Sequence, residues 1–332
     1  MKAIHFARVI KAQSKSALSH FLLCQVERQS VPQKFVWRNR LFKFLPSLFM
    51  GNPTFELWKK ADAYFISQRP KEIEWIDLDA LPIPSNLPIK KIAIHAHIYY
   101  NDLVPELIEN LVQFPRSYDL LVSTPHNFLE QSLREQLANL PNLSHLEILI
   151  TPNRGRDVGP MLYGFGKQLL FYDYFAHLHT KKSTDTNDIG NAWRQYLWNG
   201  LLNNSHHQVL KILGLLEHFG LVYPHKFHMI DIANCQWENN LSIVQPLCQD
   251  LSLPSPKPGF IEFPVGTMFW ANTRALKPLL EHSFTVASFT PEEGQTDNTL
   301  MHALERLFGH IALAQSMPIA VLTDPQQHAY YP

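Results

Sequence analysis

Lys90-Lys-Ile-Ala-Ile-His-Ala-His-Ile98 is an apolar run bounded by Pro88, and it reads as a buried strand. Downstream, Val104–Gln113 carries apolar residues at helical spacing, and Tyr118–Thr124 is a second strand stopped by Pro125. Glu130–Leu140 is a second helix and Leu146–Thr151 a third strand. Strands alternating with helices predict a mostly parallel α/β sheet flanked by helices. Ligands on such sheets bind at the carboxyl ends of the strands, which puts His97–Asp102, Ser123–His126 and Asn153–Pro160 on one rim. The alternation continues with a helix at Met161–Leu170 and a strand at Tyr172–His179 running into Thr180-Lys-Lys-Ser183. Helices are expected at Trp193–Leu202, Val209–Phe219 and Asp297–Phe308, and strands at Gly220–Pro224 and Gly266–Ala271. Residues 225–262 contain Pro246, Pro254, Pro256 and Pro258 and read as an irregular lid or acceptor-side insertion.

Upstream, Pro70, Pro82, Pro84 and Pro88 mark residues 70–90 as a linker. The expected organisation is a basic, mostly helical region with its linker over 1–85 and one α/β domain over 86–325. The chain carries 29 Lys and Arg against 29 Asp and Glu, which excludes a generally basic nucleic-acid-binding protein. Charge is nonetheless segregated: residues 1–60 hold eleven basic side chains and two acidic ones, so a basic attachment region precedes a more acidic body. Phe35–Phe49 reads as one amphipathic basic helix with Trp37, Phe42, Phe44 and Phe49, suited to an anionic membrane surface or to packing on the protein. No window approaches ~18 consecutive apolar residues, so no spanning helix is expected. Ala17–Val26 lacks a small-residue cleavage site, so no signal peptide is expected either. Three cysteines, Cys24, Cys235 and Cys248, rule out a disulfide scaffold and imply a reducing, cytosolic compartment.

Three stretches hold residue types suited to chemistry. Asn153-Arg-Gly-Arg-Asp-Val-Gly-Pro160 puts Arg154, Arg156 and Asp157 in a glycine-bearing strand-to-helix turn. Glycines admit close backbone approach, and arginine forks match phosphate geometry. The same residues also suit a turn held by an internal Arg–Asp pair. His177-Leu-His179 places two imidazoles on one strand face, followed by Lys181 and Lys182 where the sheet opens. Such a group suits a phosphate, a metal, or a structural His pair beside solvated lysines. Asp297, His302 and Glu305 lie at and beyond a predicted helix start, where Asp297 is either a cap or a general base. Gly266-Thr-Met-Phe-Trp270 reads as a strand with an aromatic wall or as plain core. No Walker A, G-x-G-x-x-G, G-x-S-x-G or H-E-x-x-H motif occurs, which weighs against kinase, dehydrogenase, serine-hydrolase and zincin chemistry.

On four blocks the chain resembles the rhamnan-synthesis protein F family of bacterial rhamnose-polysaccharide assembly. They are His97-Ile-Tyr-Tyr-Asn-Asp102, Asn153–Pro160, Tyr172-Asp-Tyr with His177–Ser183 and Trp193-Arg194, and Gly266–Trp270 with Asp297–Arg306. The resemblance spans residues 91–310 and leaves 1–85 outside; Asn298 stands where it calls for glycine. The block order is similar to that of inverting glycosyltransferases of the GT-A type, a Rossmann-like class. That similarity implies a glycosyltransferase moving a sugar, rhamnose as the first guess, from a nucleotide-diphosphate donor such as dTDP-rhamnose. The implied acceptor is a lipid-linked glycan at the inner membrane, in O-antigen or rhamnan synthesis. Asp297 would be the catalytic base. His97, Tyr100, Asp102, Thr124 and Asn153 would lie on the donor side with Arg154, Arg156 and Asp157; His177, His179, Lys181 and Lys182 would complete it. Trp193, Arg194, Met268 and Trp270 would face the acceptor, with His302, Glu305 and Arg306. His177-Leu-His179 occupies the place of the metal-binding D-x-D, so the resemblance implies that Lys and Arg offset the diphosphate, with a divalent Mg²⁺ or Mn²⁺ as the alternative. The alternatives are a non-catalytic polysaccharide-assembly module and a His-metal hydrolase built on His95, His97, His177 and His179.

Overall fold

The computed structural model describes residues 2–29, 31–64, 69–180, 187–203, 205–227, 230, 235–295 and 297–323. They fall into two compact units, one built on residues 1–69, 228–235 and 325–332, the other on 70–227 and 236–324.

The first unit is helical: α1 (Lys2–Glu27), α2 (Val31–Phe44), α3 (Pro46–Phe49) and α4 (Pro53–Ala63). Pro46 and Pro53 occupy first-turn positions, where a missing N–H costs nothing, and the Asn52 side chain caps α4 by accepting from the Phe55 N–H. The continuous helix expected over Phe35–Phe49 is therefore broken, because the Pro46 ring cannot extend α2. Its aromatic residues also separate. Phe42 and Phe49 meet Phe55 and Trp58 in a small core, with Phe42 edge-on to Phe49 at 5.1 Å and to Phe55 at 5.2 Å. Trp37, Phe44, Leu45 and Met50 stay exposed. Among the described residues no helix is long and apolar enough to cross a membrane.

The second unit is an α/β sandwich on an eight-stranded sheet. Its strands are β1 (Ile73–Ile76), β2 (Ile92–His97), β3 (Tyr118–Thr124), β4 (Leu143–Ile150), β5 (Tyr174–His179), β6 (Leu221–Pro224), β7 (Phe269–Asn272) and β8 (Ile319–Leu322), in the order β1-β8-β6-β7-β5-β2-β3-β4. β7 runs antiparallel to β5 and β6, and the other pairings are parallel. All six residues of β2 and of β5 are buried, as expected of strands covered on both faces. Ile92, Ile94 and Ala96 join the core under α5 (Val104–Val112), α6 (Glu130–Leu137), α8 (Asn187–Leu202) and α9 (Gln208–Leu215). Ala93, Leu121 and Phe175 join the opposite core, covered by α7 (Phe165–Leu169), α10 (Leu241–Asp250), α11 (Lys277–Glu281) and α12 (Leu300–Ala314).

This is the expected α/β, Rossmann-like class, with four local differences. β1 lies inside the segment read as linker, and β8 was not read at all; each is four residues long and too short for a periodicity. α10 occupies the segment read as irregular and tolerates Pro246 within it. The helix read at Met161–Leu170 opens with a π-turn at Pro160–Gly164.

Candidate functional site

The parallel strands bring their carboxyl ends to one rim, and the turn after β4 is built to enter it. Gly155 has φ +76° and Arg156 φ +52°. A Cβ on Gly155 would come within 2.5 Å of the Phe289 ring and 2.8 Å of the Gly159 Cα, so only glycine fits. This turn leads into Asp157, which is buried, and directs Arg156 to Glu292 (Nε–Oε2 2.9 Å), the Gln295 carbonyl and His302. Arginine can only donate, so His302 Nε2 accepts from it at 3.1 Å, and His302 Nδ1–H then donates to Thr299 Oγ1 at 2.7 Å.

A cavity of about 920 Å³, open to solvent, lies beside this turn. Arg156, Asp157 and Val158 line it from the turn, His179 from the end of β5, and Trp193 and Arg194 from α8. Gly266, Thr267 and Met268 line it from the segment before β7, and Met301, His302, Glu305 and Arg306 from α12. Because β7 is antiparallel, its leading residues arrive where its neighbours end. Three guanidiniums and two carboxylates line this space, and each guanidinium is also paired with a carboxylate behind it: Arg156 with Glu292, Arg194 with Glu106 and Arg306 with Asp297. Each guanidinium is thereby anchored. Arg194 pairs with Glu106 at 2.8 Å, and Arg306 donates to the Gln236 and His302 carbonyls at 3.0 and 3.1 Å. Glu305 Oε1 accepts the Gly266 N–H at 2.9 Å, and His179 Nε2–H donates to the Gly266 carbonyl at 2.8 Å. Anchored donors need no reordering to meet an anion.

Nine of the residues expected at a site therefore meet around one cavity, including donor-side and acceptor-side candidates alike. Others do not line it. Trp270 is fully buried, donates its indole N–H to the Leu201 carbonyl and stacks on Phe114, so the aromatic wall expected to face an acceptor is core. Arg154 turns to the Phe289 carbonyl, and Thr124 is buried at the end of β3. Tyr100 and the exposed Asp102 belong to the loop after β2, and Asn153 is exposed. Lys181 and Lys182 lie outside the described residues. Asp297 is neither in α12 nor its cap, since the helix starts at Leu300 after Thr299. It accepts from Asn240 Nδ2 at 2.6 Å and lies 3.7 Å from Arg306 Nη2. Burial pushes its carboxyl up, but the Asn240 and backbone hydrogen bonds and the Arg306 charge outweigh that and hold it below the usual carboxylate range. Asn298, at the glycine position of the resemblance, has φ +60°, a conformation asparagine tolerates better than most residues. Gly266 and Thr267 stood out in the sequence only as part of a strand or wall, and Asn240 not at all; they carry no chemical signature until the fold places them.

Behind the cavity wall runs a chain of buried polar groups. Parallel register sets His95 beside His177, and His97 beside Ser123 and His179. His97 Nδ1 lies 2.8 Å from Ser123 Oγ, which lies 3.0 Å from His95 Nε2. His95 Nδ1 is 2.8 Å from His177 Nδ1, and His177 Nε2 is 3.1 Å from Asp157 Oδ2, which also accepts from Thr267 Oγ1 at 2.6 Å. Both ring nitrogens of His177 are thus engaged by protein groups. Among the described residues no group of three or more His, Cys, Asp or Glu is arranged to hold a metal.

Two proteins of Xanthomonas campestris pv. campestris, from strains B100 and ATCC 33913, are each described as uncharacterized protein WxcX. Each is 29% identical to this chain over 216 residues, which is 64% of this chain and 30% of the relative. The chain thus spans less than a third of the length of the curated relatives it matches. The rhamnan synthesis protein F family matches over residues 7–317, reaching back through helices that the sequence reading left outside the resemblance. With that coverage, the chain belongs to the rhamnan synthesis protein F (RgpF) family, a family linked to rhamnan synthesis.

Proposed function

We propose that the protein is an inverting glycosyltransferase of the GT-A type, moving a sugar, rhamnose in the first instance, from a nucleotide-diphosphate donor in surface-polysaccharide synthesis. The observation that carries this reading is the rim cavity with Arg156, Arg194 and Arg306 in its lining. Guanidinium forks can meet a diphosphate where no divalent ion is held. In the reaction, Asp297 takes the proton of an acceptor hydroxyl and that oxygen attacks the anomeric carbon. The bond to the diphosphate oxygen breaks, and the guanidiniums stabilise the departing charge. Asp297 does not line the cavity but lies 3.7 Å from Arg306, which does, so in this reading the acceptor hydroxyl sits at the cavity's edge beside that pair.

Calorimetry with a panel of nucleotide sugars, dTDP-rhamnose first, tests this with and without chelator. One donor is expected to bind at micromolar Kd regardless of chelator. No binding by any donor would favour a non-catalytic assembly module, and loss of binding with chelator would remove the metal-free diphosphate site.

The acceptor in this reading is a lipid-linked glycan at the inner leaflet. Basic residues of the first unit, together with exposed Trp37, Phe44 and Met50, suit an anionic bilayer surface. Co-sedimentation with vesicles containing about a third phosphatidylglycerol is expected, and salt should weaken it. Equal recovery with neutral vesicles would refute the electrostatic attachment.

A further inference from the structure

The reaction proposed above uses none of the buried groups behind the cavity wall, yet their hydrogen bonds admit few proton arrangements. Asp157 Oδ2 accepts from Thr267 and, as a carboxylate, requires Nε2–H on His177. A neutral His177 then offers only a lone pair at Nδ1, so His95 must donate from its own Nδ1. His95 Nε2 must accept from Ser123 Oγ–H, and Ser123 Oγ must accept from His97 Nδ1–H. With His177 neutral, every proton in the chain points toward Asp157.

That order can take a proton at its far end. It binds Nε2 of His97, whose Nδ1 proton passes to Ser123. The serine proton passes to His95 Nε2, and the His95 Nδ1 proton passes to His177 Nδ1. One proton has entered, each intermediate group has gained one and lost one, and His177 has become an imidazolium against the Asp157 carboxylate. We infer that His97, Ser123, His95 and His177 form a proton relay that stores one proton beside Asp157, and that an anion entering the cavity draws that proton in. The inference rests on the reading of the cavity as a diphosphate site.

The surroundings fix the capacity at one. His177 is faced by His95 and His97 from β2, His179 from its own strand, and Asp157 and Thr267 from the cavity wall; Phe269 packs on it and Phe165 on His95. His126 faces His97 from the loop after β3. Asp157 is the one acid in that set. Burial holds His97 down to about 3, so a proton does not rest there. Burial and the neighbouring imidazoles hold His95 low as well. His179 and the His177 and Thr267 hydrogen bonds outweigh burial and keep Asp157 ionised, so the counter-charge is always present. Since Asp157 lines the cavity, a loaded relay makes its wall more positive by one unit. A bound anion and the stored proton attract each other, so by linkage binding strengthens as pH falls, by up to about tenfold per pH unit.

The test uses inorganic pyrophosphate, the full chain and the variant His177→Gln. Glutamine can donate to Asp157 and accept from His95 Nδ1–H, reproducing the resting order without taking a proton. Calorimetry in buffers of different ionisation enthalpy should show proton uptake on binding to the wild type that drops to the ligand's own contribution in H177Q. Affinities at pH 8 should agree within about threefold, and only the wild type should gain the extra strengthening toward pH 6. Equal uptake in both proteins would overturn the relay and move the proton to another histidine. Absence of pyrophosphate binding at any pH would instead remove the diphosphate site. Nitrogen-15 histidine spectra of the unliganded wild type at pH 8 need no variant. They should show His177 protonated on Nε2 and His95 on Nδ1, and the opposite tautomer on either ring would overturn the relay by itself.

Discussion

Replacing Asp297 by asparagine is expected to lower sugar transfer by roughly 10²–10⁴-fold while donor affinity changes little, the range a positioned base contributes. The substitution is nearly isosteric, and asparagine can still accept from Asn240, so the segment before α12 should keep its path. What disappears is the negative oxygen that, in the proposed reaction, takes the acceptor proton. Transfer rate and donor binding have to be measured on the same preparation, because Asp297 also neighbours Arg306, a lining residue. A variant that loses donor binding in step with rate would show Asp297 acting through Arg306 as a positioning residue. Glu305→Gln is the comparison, since Glu305 is a carboxylate of the lining itself. A wild-type rate in D297N with a collapse in E305Q would move the base to Glu305.

Gly155→Ala should destabilise the second unit by about 3 kcal/mol, read from the denaturant midpoint. A non-glycine residue at φ +76° costs on the order of 1 kcal/mol, and the added methyl must displace both the Phe289 ring and the Gly159 backbone, about 1–3 kcal/mol more. Gly294→Ala separates these contributions. Gly294 has φ +81° and open space around the would-be Cβ, so it should show the conformational cost alone, about 1 kcal/mol. Equal losses in the two variants would mean that Phe289 yields freely. The expected difference also reaches function, because the turn that Gly155 closes carries Arg156 and Asp157 to the cavity.

How far the sequence could be read follows from where its signals are local. β2 to β5 were legible because each pairs an apolar run with a proline, glycine or helical period beside it. The turn at Asn153–Pro160 was legible because glycines and arginines together are an uncommon combination. β1 and β8 were not, since a four-residue strand holds no periodicity and their pairing joins residues nearly 250 positions apart. The antiparallel sense of β7 has no sequence marker; it follows from the route the chain takes through residues 225–268. At the site, His177 and His179 were visible as an i, i+2 pair, but Ser123 as their bridge depends on cross-strand register. Trp270 was misplaced because a wide aromatic looks the same in a wall and in a core until its indole partner, the Leu201 carbonyl, is known.

Among the described strands of its sheet β8 is the last to be synthesised, yet it is seated between β1 and β6. A ribosome-bound chain that has already emitted seven strands therefore carries an open slot with unsatisfied backbone on both sides until residue 322 emerges. Such a vacancy is a template for strands of other nascent chains. Cells making this protein should need holdase chaperones on polysomes until that segment emerges, and a stop codon just ahead of Ile319 should yield aggregates rather than a shortened soluble product.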